Sequence, residues 1–182
     1  MSVNVAVMRC SPEAVFAVLA DAWVFPTWVV GASRMRGVDG AWPQVGSRLH
    51  HSFGVWPLVV DDATTVLEWD PPRRAVLQPA GWPLGEARVE LDVRPRGVDA
   101  CVVRLREFAV RGPGRLVPDA VADALLRVRN RETLRRLAHI AQGRAQNREA
   151  LVSGRAPESV PEVVPGPVPG PVPEPAPEPR EG

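Results

Sequence analysis

The stretch ARVELDVR, Ala87 to Arg94, alternates strictly between apolar and charged side chains. Ala87, Val89, Leu91 and Val93 fall on one face of an extended chain, and the charged residues between them fall on the other. Such alternation is typical of a strand in an antiparallel sheet with one buried face and one face in water. The stretch therefore predicts a sheet whose apolar face must be covered by another element.

Six further segments around this strand also have the composition of strands, and turn signals separate them. They read SVNVAVMR, SRMRGV, SRLHHSF, LVVDDATTVLEW, RAVLQP and ACVVRLREFAV. Together with the strand at 87–94 they predict a seven-stranded antiparallel sheet. Because a sheet with one apolar face must bury that face, a helical layer is expected on one side only.

Three helices are predicted to accompany the sheet. The first follows the first strand at CSPEAVFAVLAD, where Ser11 is suited to the N-cap and Pro12 to the first turn. A second, short helix is predicted around AWVFPTWVV. The third runs over about residues 118–142 and is predicted to turn Leu125, Val128 and Leu134 inward. The pattern predicts an α+β fold in which one long C-terminal helix lies across a curved sheet and leaves a gap suited to a small apolar ligand.

The composition changes near position 145, and every second residue from Pro165 to Pro179 is proline. Such a run lacks the backbone donors that helices and sheets require. The sequence therefore predicts one domain at 1–144 and a disordered tail at 145–182. A partner that binds proline-rich segments is the alternative role for the tail.

The charge and the residue types limit the classes of function. The net charge is +1, and the chain contains neither lysine nor tyrosine, which excludes a Schiff-base lysine and a tyrosine general acid. The basic stretch that includes Arg129 is interpreted as a solvated helix face with Glu132 as a local partner, not as a nucleic-acid surface.

The sequence offers no signal peptide and no apolar run long enough for a transmembrane helix, so a cytoplasmic protein is expected. Cys10 and Cys101 are expected to be reduced, and no cofactor is predicted.

Five segments together resemble a known superfamily over about residues 1–142. They are SPEAVFAVLAD, WPQVGSRLHHSFGVWPL, VLEWDPPRRAVLQ, GWPLGEARVELDV and RNRETLRRLAHIA. The chain is identified as similar to the SRPBCC superfamily, which includes START, Bet v 1-like and polyketide cyclase/dehydrase-like proteins. The resemblance implies the helix-grip fold, with two short helices after the first strand, and an internal cavity for a lipid-, polyketide- or aromatic-like molecule. In that topology the first and last strands pair antiparallel, which implies that Cys10 and Cys101 are neighbours. Members share a cavity but no fixed catalytic motif, so the resemblance assigns no catalytic residue.

Two adjacent histidines, His50 and His51, lie on the predicted strand SRLHHSF. Because successive strand residues point to opposite faces, His51 is expected to share the inner face with Leu49 and Phe53, and His50 is expected in solvent. The two rings cannot then bind one metal ion, and no third ligand is clustered with them, so no metal site is predicted. His51 is either a polar group of the cavity or a core histidine bonded to the backbone.

Two acidic residues are further candidates for chemistry. Asp61 is predicted to face inward because it is in phase with Thr65, Leu67 and Trp69, and it could act as a base or orient a ligand hydroxyl. The alternative is a solvated carboxylate paired with an arginine at the strand end. Glu107 continues the inner face of the last strand and could form an acid/base pair with His51, unless the strand ends or bulges before it reaches the interior.

Three functions are compatible with this pattern. The main hypothesis is a carrier or binding protein for a small hydrophobic molecule, and the second is a cyclase or dehydratase that uses His51, Glu107 or Asp61 as acid/base groups. The third is a protein-interaction module with a filled interior. The residues predicted to line the ligand site are Leu49, His51, Phe53, Thr65, Leu67, Trp69, Val89, Leu91, Val103, Leu105, Leu125 and Val128.

Overall fold

The computed structural model describes residues 1–55, 57–81, 85–112 and 119–154 of the chain. The elements follow the predicted order of one strand, two short helices, six strands and one long helix. They are β1 (Ser2–Met8), α1 (Pro12–Leu19), a 3-10 turn (Ala22–Val24), α2 (Phe25–Trp28), β2 (Ala32–Val38), β3 (Arg48–Val55), β4 (Leu58–Asp70), β5 (Arg74–Pro79), β6 (Ala87–Pro95), β7 (Cys101–Ala109) and α3 (Asp119–Val152).

All seven strands form one antiparallel, curved sheet in the order β1-β7-β6-β5-β4-β3-β2. The first and last strands in the sequence are neighbours in the sheet, and Ser2 of β1 lies opposite Glu107 of β7. The helix α3 contacts β1, β7, α1 and α2. The predicted fold class, a helix-grip arrangement of seven strands and a long C-terminal helix, is confirmed.

The first helix begins where the sequence predicts. The Ser11 side chain accepts a hydrogen bond from the Ala14 amide at 3.3 Å, and Pro12 occupies the first turn. The cap satisfies a backbone donor that the helix itself leaves unpaired. The buried side of α1, which includes Val15 and Leu19, then packs into the core beneath α3.

The buried face of α3 differs from the prediction. Leu134 is 1% exposed and Leu137 is fully buried, but Leu125 is 68% exposed and Val128 is 74% exposed. The prediction that Leu125 and Val128 line the ligand site is therefore wrong. Leu125 precedes Leu134 by nine residues, about two and a half turns at ~3.6 residues per turn, which places the two on opposite sides of the helix. The side of α3 that carries Leu134 and Leu137 therefore faces the core, and the side that carries Leu125 and Val128 faces solvent.

The inner face of β4 also differs from the prediction, because the strand contains a β-bulge. Val66 lies opposite Leu77 of β5, but Glu68 lies opposite the next residue, Val76, so Leu67 is an extra residue. Trp69 faces the core after the bulge, where its ring lies 5.2 Å from that of Phe16.

Before the bulge the even-numbered residues of β4 face the interior, whereas after the bulge the odd-numbered Trp69 does. Asp62, Thr64 and Val66 are buried, whereas Asp61 is exposed on the opposite face. The predicted inward positions of Asp61 and Thr65 are therefore wrong, because they were counted back from Trp69 through the bulge. Leu67 is the bulge residue itself and belongs neither to the core nor to the described lining of the cavity.

The C-terminal helix extends beyond the predicted domain boundary. The sequence predicts the start of the tail at residue 145, but α3 continues to Val152. Residues 155–182, which include the proline-rich run, lie outside the described residues. Among the described helices, none is long and apolar enough to cross a membrane.

The two cysteines are buried neighbours, as the helix-grip topology implies. Both thiols are free, and Cys101 lies opposite Met8 at the end of β1, two residues before Cys10. The hydrogen bond between the thiols lowers the pKa of Cys10 and, together with burial, raises the pKa of Cys101. The pair occupies the end of the β1–β7 ladder opposite to Glu107.

The outer face of the sheet carries a cluster of ion pairs centred on Asp92 of β6. Arg74 and Arg104 lie directly opposite Asp92 on the two neighbouring strands. They approach its carboxylate to 2.7 Å and 3.0 Å. Burial by itself would raise the pKa of Asp92, but the hydrogen bonds from Arg74 and Arg104 outweigh it and lower the pKa below its usual value.

We expect Asp92→Asn to lower the free energy of unfolding by about 2 kcal/mol near neutral pH, since it removes hydrogen bonds to a charged acceptor. The pKa of Asp92 is lower in the folded chain than in the unfolded chain. Its stabilising contribution is therefore complete above the unfolded pKa of about 4 and is lost as the pH falls through the folded pKa. Urea unfolding near pH 7 and near pH 3 should show that the wild type and the variant converge in acid. Asp99→Asn, at an exposed position, is the matched control.

Candidate functional site

A cavity of about 50 Å³ lies between the sheet and α3, at the end of the sheet where β3, β5 and β7 end. Its walls come from α2, from five strands and from α3. The described lining residues are Phe25, Trp28, Val29, His51, Phe53, Asp62, Thr64, Leu77, Pro79, Val89, Leu105, Glu107, Arg129, Asn130 and Thr133. The cavity thus has apolar walls and several polar side chains.

His51 faces the cavity from β3 and is 1% exposed. Its Nε2 atom is hydrogen-bonded to Thr64 Oγ1 on the adjacent strand at 3.0 Å. Its Nδ1 atom is buried and has no hydrogen-bond partner in the part of the chain that the structure describes. Burial lowers the pKa of His51, although the nearby Asp62 carboxylate opposes this shift, so the ring is neutral near pH 7.

Asp62, not Asp61, is the acidic residue of β4 in the cavity. It lies opposite His51 in the β3–β4 ladder and is 5% exposed. Its Oδ1 atom accepts hydrogen bonds from the amides of Ala63 at 2.8 Å and Gly81 at 3.1 Å. Asp61 points to the outer face and pairs with Arg36 at 3.2 Å, which is the arginine pairing that the sequence left open for it.

Glu107 reaches the interior, because β7 continues to Ala109. It is 6% exposed, and both carboxylate oxygens accept hydrogen bonds from Nη1 of Arg129, at 2.8 Å and 2.9 Å. Asn130 Nδ2 donates a third hydrogen bond at 2.8 Å. The expectation that β7 ends or bulges before Glu107 is wrong. A carboxylate that accepts three hydrogen bonds from two neighbouring residues of α3 is well suited to fix α3 on the sheet.

Arg129 joins three elements at the cavity, although the sequence places it in a solvated basic stretch. Besides its bonds to Glu107, its Nε atom donates to the carbonyl oxygen of Val30 at 3.0 Å. Its guanidinium lies 5.4 Å from the centre of the Phe53 ring, a cation–π contact. The expected solvated pairing applies instead to Glu132, which binds Arg135 and Arg136. The sequence signal that Arg129 lies near the interior is its position next to Asn130. Asn130 lies one turn before Leu134, on the buried side of α3.

Aromatic rings form much of the apolar wall. The rings of Phe25 and Trp28 meet edge to face at 5.3 Å, and Phe25 also lies 5.0 Å from the His51 ring. Phe53 is half-buried and packs against Gly31, where a Cβ atom would lie 2.6 Å from the Phe53 ring. Gly31 also has a φ of +97°, which disfavours any other residue. Because Gly31 has no side chain, the Phe53 ring lies directly against it, with the Arg129 guanidinium near the same ring.

The residues predicted to line the site, together with the catalytic candidates Asp61 and Glu107, fall into three groups, apart from Leu67 at the bulge. His51, Phe53, Val89, Leu105 and Glu107 line the cavity. Those in the core but not in its described lining are Leu49, Trp69, Leu91 and Val103. Those that face away from the interior are Asp61, Thr65, Leu125 and Val128, and Leu67 is the bulge residue, in neither the core nor the described lining.

The residue patterns did not predict the polar residues of the cavity on β4 and α3, which are Asp62, Thr64, Arg129, Asn130 and Thr133. Asn130 and Thr133 share the helix face of Leu134 and Leu137, a signal that was available from their spacing. Within the described residues, no group of three or more His, Cys, Asp and Glu side chains could hold a metal ion.

A family defined by the description "Polyketide cyclase / dehydrase and lipid transport" matches residues 1–142 of the chain. The chain belongs to this family. Solved structures similar to the chain share low sequence identity with it, and no curated protein matches the chain.

Three solved structures illustrate the likeness of this family member to known folds. Protein CV1439 from Chromobacterium violaceum has 16% identity and a TM-score of 0.56, over 77% of this chain and 96% of its own. A conserved protein from Geobacillus kaustophilus has 12% identity and a TM-score of 0.60, over 77% and 94%. The di-domain ARO/CYC StfQ from the steffimycin biosynthetic pathway has 13% identity and a TM-score of 0.61, over 81% of this chain and 51% of its own. At these identities the likeness establishes a shared fold.

Proposed function

We propose that the chain binds a small, largely apolar, ring-containing molecule in the cavity between the sheet and α3. The observation that carries the proposal is the combination of aromatic walls with a few buried polar groups at one end of the sheet. Binding sites for small molecules commonly have this composition, since apolar area supplies affinity and single polar groups supply orientation. Membership of a family named for polyketide and lipid chemistry supports the same ligand class.

The size of the cavity makes Phe53 central to the proposal. A volume of about 50 Å³ is too small for a ring, because an apolar cavity that binds benzene measures about 150 Å³. Phe53 is half-buried and lies at the cavity between Gly31 and Arg129. The ligand ring takes the place of the Phe53 ring, which turns outward to admit it. Arg129 then stacks on the ligand as it stacks on Phe53.

We expect Phe53→Ala to bind toluene at least about tenfold more tightly than the wild type, because the space of the deleted ring becomes available to the ligand. Titration of the ¹⁵N-labelled protein with toluene, followed through the amide shifts of residues that line the cavity, measures the affinity. Native mass spectrometry of the protein purified from its own host adds the mass of any natural ligand that remains bound.

Phe108→Ala is the matched control, because Phe108 is also a half-buried phenylalanine but lies on the outer face of β7. It should leave toluene binding unchanged. Failure of Phe53→Ala to bind toluene saturably would contradict the proposal and favour a protein-interaction module with a filled interior.

A second candidate function is acid/base catalysis of the cyclase or dehydratase type. The observation that favours it is the convergence of four ionisable side chains, His51, Asp62, Glu107 and Arg129, on one cavity. His51 is the residue suited to proton transfer, since it is neutral near pH 7 and Nδ1 is unpaired within the described residues. Deuterium exchange into a 1,3-diketone, faster with the wild type than with His51→Gln, would distinguish catalysis from binding alone.

The location proposed for the chain is the cytoplasm. Cys10 and Cys101 are free thiols that lie next to each other, an arrangement that persists in a reducing compartment. The predicted proline-binding partner of the tail concerns residues outside the described ranges, and no observation supports it.

A further inference from the structure

We infer that the ligand carries a neutral hydroxyl group on its ring, and that His51 selects it through a hydrogen bond from or to Nδ1. The inference rests on the proposed function and specifies the polar end of the ligand. It makes His51 the residue that determines specificity in this cavity.

One ring nitrogen of His51 has no hydrogen-bond partner among the described residues. Nδ1 of His51 is buried, and no group of the described residues bonds to it, whereas Nε2 is bonded to Thr64 Oγ1. A buried polar atom without a partner is costly, so a ligand that supplies one gains affinity. His51 lines the cavity and lies beside the Phe25 ring, so a partner for Nδ1 would be attached to a ring packed among the aromatic walls.

Whether Nδ1 donates or accepts a hydrogen bond depends on the tautomer of His51. A neutral imidazole has one N–H group and one bare nitrogen, and the Thr64 hydroxyl can serve either form of Nε2. Nδ1 therefore accepts a hydrogen bond in one tautomer and donates one in the other. A hydroxyl group is both a donor and an acceptor, so it satisfies His51 in either tautomer, whereas a carbonyl satisfies only one.

The charge of the cavity favours a neutral ligand. The described lining holds two carboxylates, Asp62 and Glu107, against one guanidinium, and that guanidinium, Arg129, is engaged by Glu107 through two hydrogen bonds. With His51 neutral, the lining has a formal charge of −1. An anionic ligand would face a like-charged site without an available cation. The ligand class selected is therefore a neutral hydroxylated ring, such as a phenol, and not an aromatic carboxylate.

The experiment compares toluene, phenol and benzoate as probes near pH 7, in the wild type and in the Phe53→Ala background that has room for a ring. We expect phenol to bind about tenfold more tightly than toluene, the gain typical of one hydrogen bond, and benzoate to bind more weakly than either. His51→Leu should reduce the affinity for phenol to that for toluene. His50→Leu is the matched control, because His50 is the adjacent residue, lies on the outer face and is 40% exposed.

A second measurement does not depend on the folding of the variants. The ¹⁵N resonance of His51 Nδ1 should shift when phenol is added to the unsubstituted chain and stay in place with toluene. Equal affinities for phenol and toluene, together with an unmoved Nδ1 resonance, would overturn the inference and leave the proposed function intact. Tightest binding of benzoate would overturn it in favour of recognition by Arg129. Absence of saturable binding by all three probes in Phe53→Ala would instead reject the proposed function.

Discussion

Leu134→Ala is expected to lower the free energy of unfolding by about 3 kcal/mol. Leu134 is 1% exposed on the side of α3 that faces the sheet, so its truncation removes buried apolar contacts and leaves a cavity in the core. Urea unfolding of the variant should show a lower midpoint with an unchanged dependence on denaturant.

Leu125→Ala is the matched control, since it makes the same chemical change on the opposite side of the same helix. Leu125 is 68% exposed, and we expect its truncation to change the free energy of unfolding by no more than about 0.5 kcal/mol. Equal losses for the two variants would mean that α3 is rotated relative to the sheet, and the assignment of Arg129 and Asn130 to the cavity would fail with it.

Arg129→Met is expected to lower the free energy of unfolding by about 3 kcal/mol, because it leaves the buried Glu107 carboxylate without its charged partner. Only the hydrogen bond from Asn130 would remain to that carboxylate. Thermal and urea unfolding both measure the loss.

Glu107→Gln combined with Arg129→Met tests whether the effect comes from the pair. The double variant should be more stable than Arg129→Met alone, since the uncompensated charge is removed. Arg131→Met, at an exposed position two residues away on α3, should leave the stability close to that of the wild type. A loss at Arg129 no larger than the loss at Arg131 would show that Glu107 does not depend on this ion pair.

The cavity gives the two proposals for this protein a common physical basis. Three of its ionisable groups, Asp62, Glu107 and Arg129, are held by hydrogen bonds to other parts of the chain. His51 alone among the four has a buried ring nitrogen that no described residue satisfies. The fixed groups set the charge of the cavity, and the unpaired nitrogen is the group left to interact with a ligand.

Residue alternation within one uninterrupted strand predicts orientation well. It placed His51 on the inner face of β3 and Glu107 on the inner face of β7, and both lie there. The same method failed on β4, where the extra residue Leu67 reverses the faces between Trp69 and Asp61. A bulge is a property of the pairing between two strands, so the sequence of one strand does not reveal it.

The sequence by itself determined the order of the elements, the antiparallel sheet and the long helix that covers it. These depend on local patterns such as the alternation at 87–94 and the Ser11 cap, which need no distant contact. Only the tertiary structure decided the rotation of α3, the size of the cavity and the pairing of Glu107 with Arg129, which are 22 residues apart. Whether a charged residue is solvated or buried depends on the partner that another element brings to it, and local sequence carries no information on that partner.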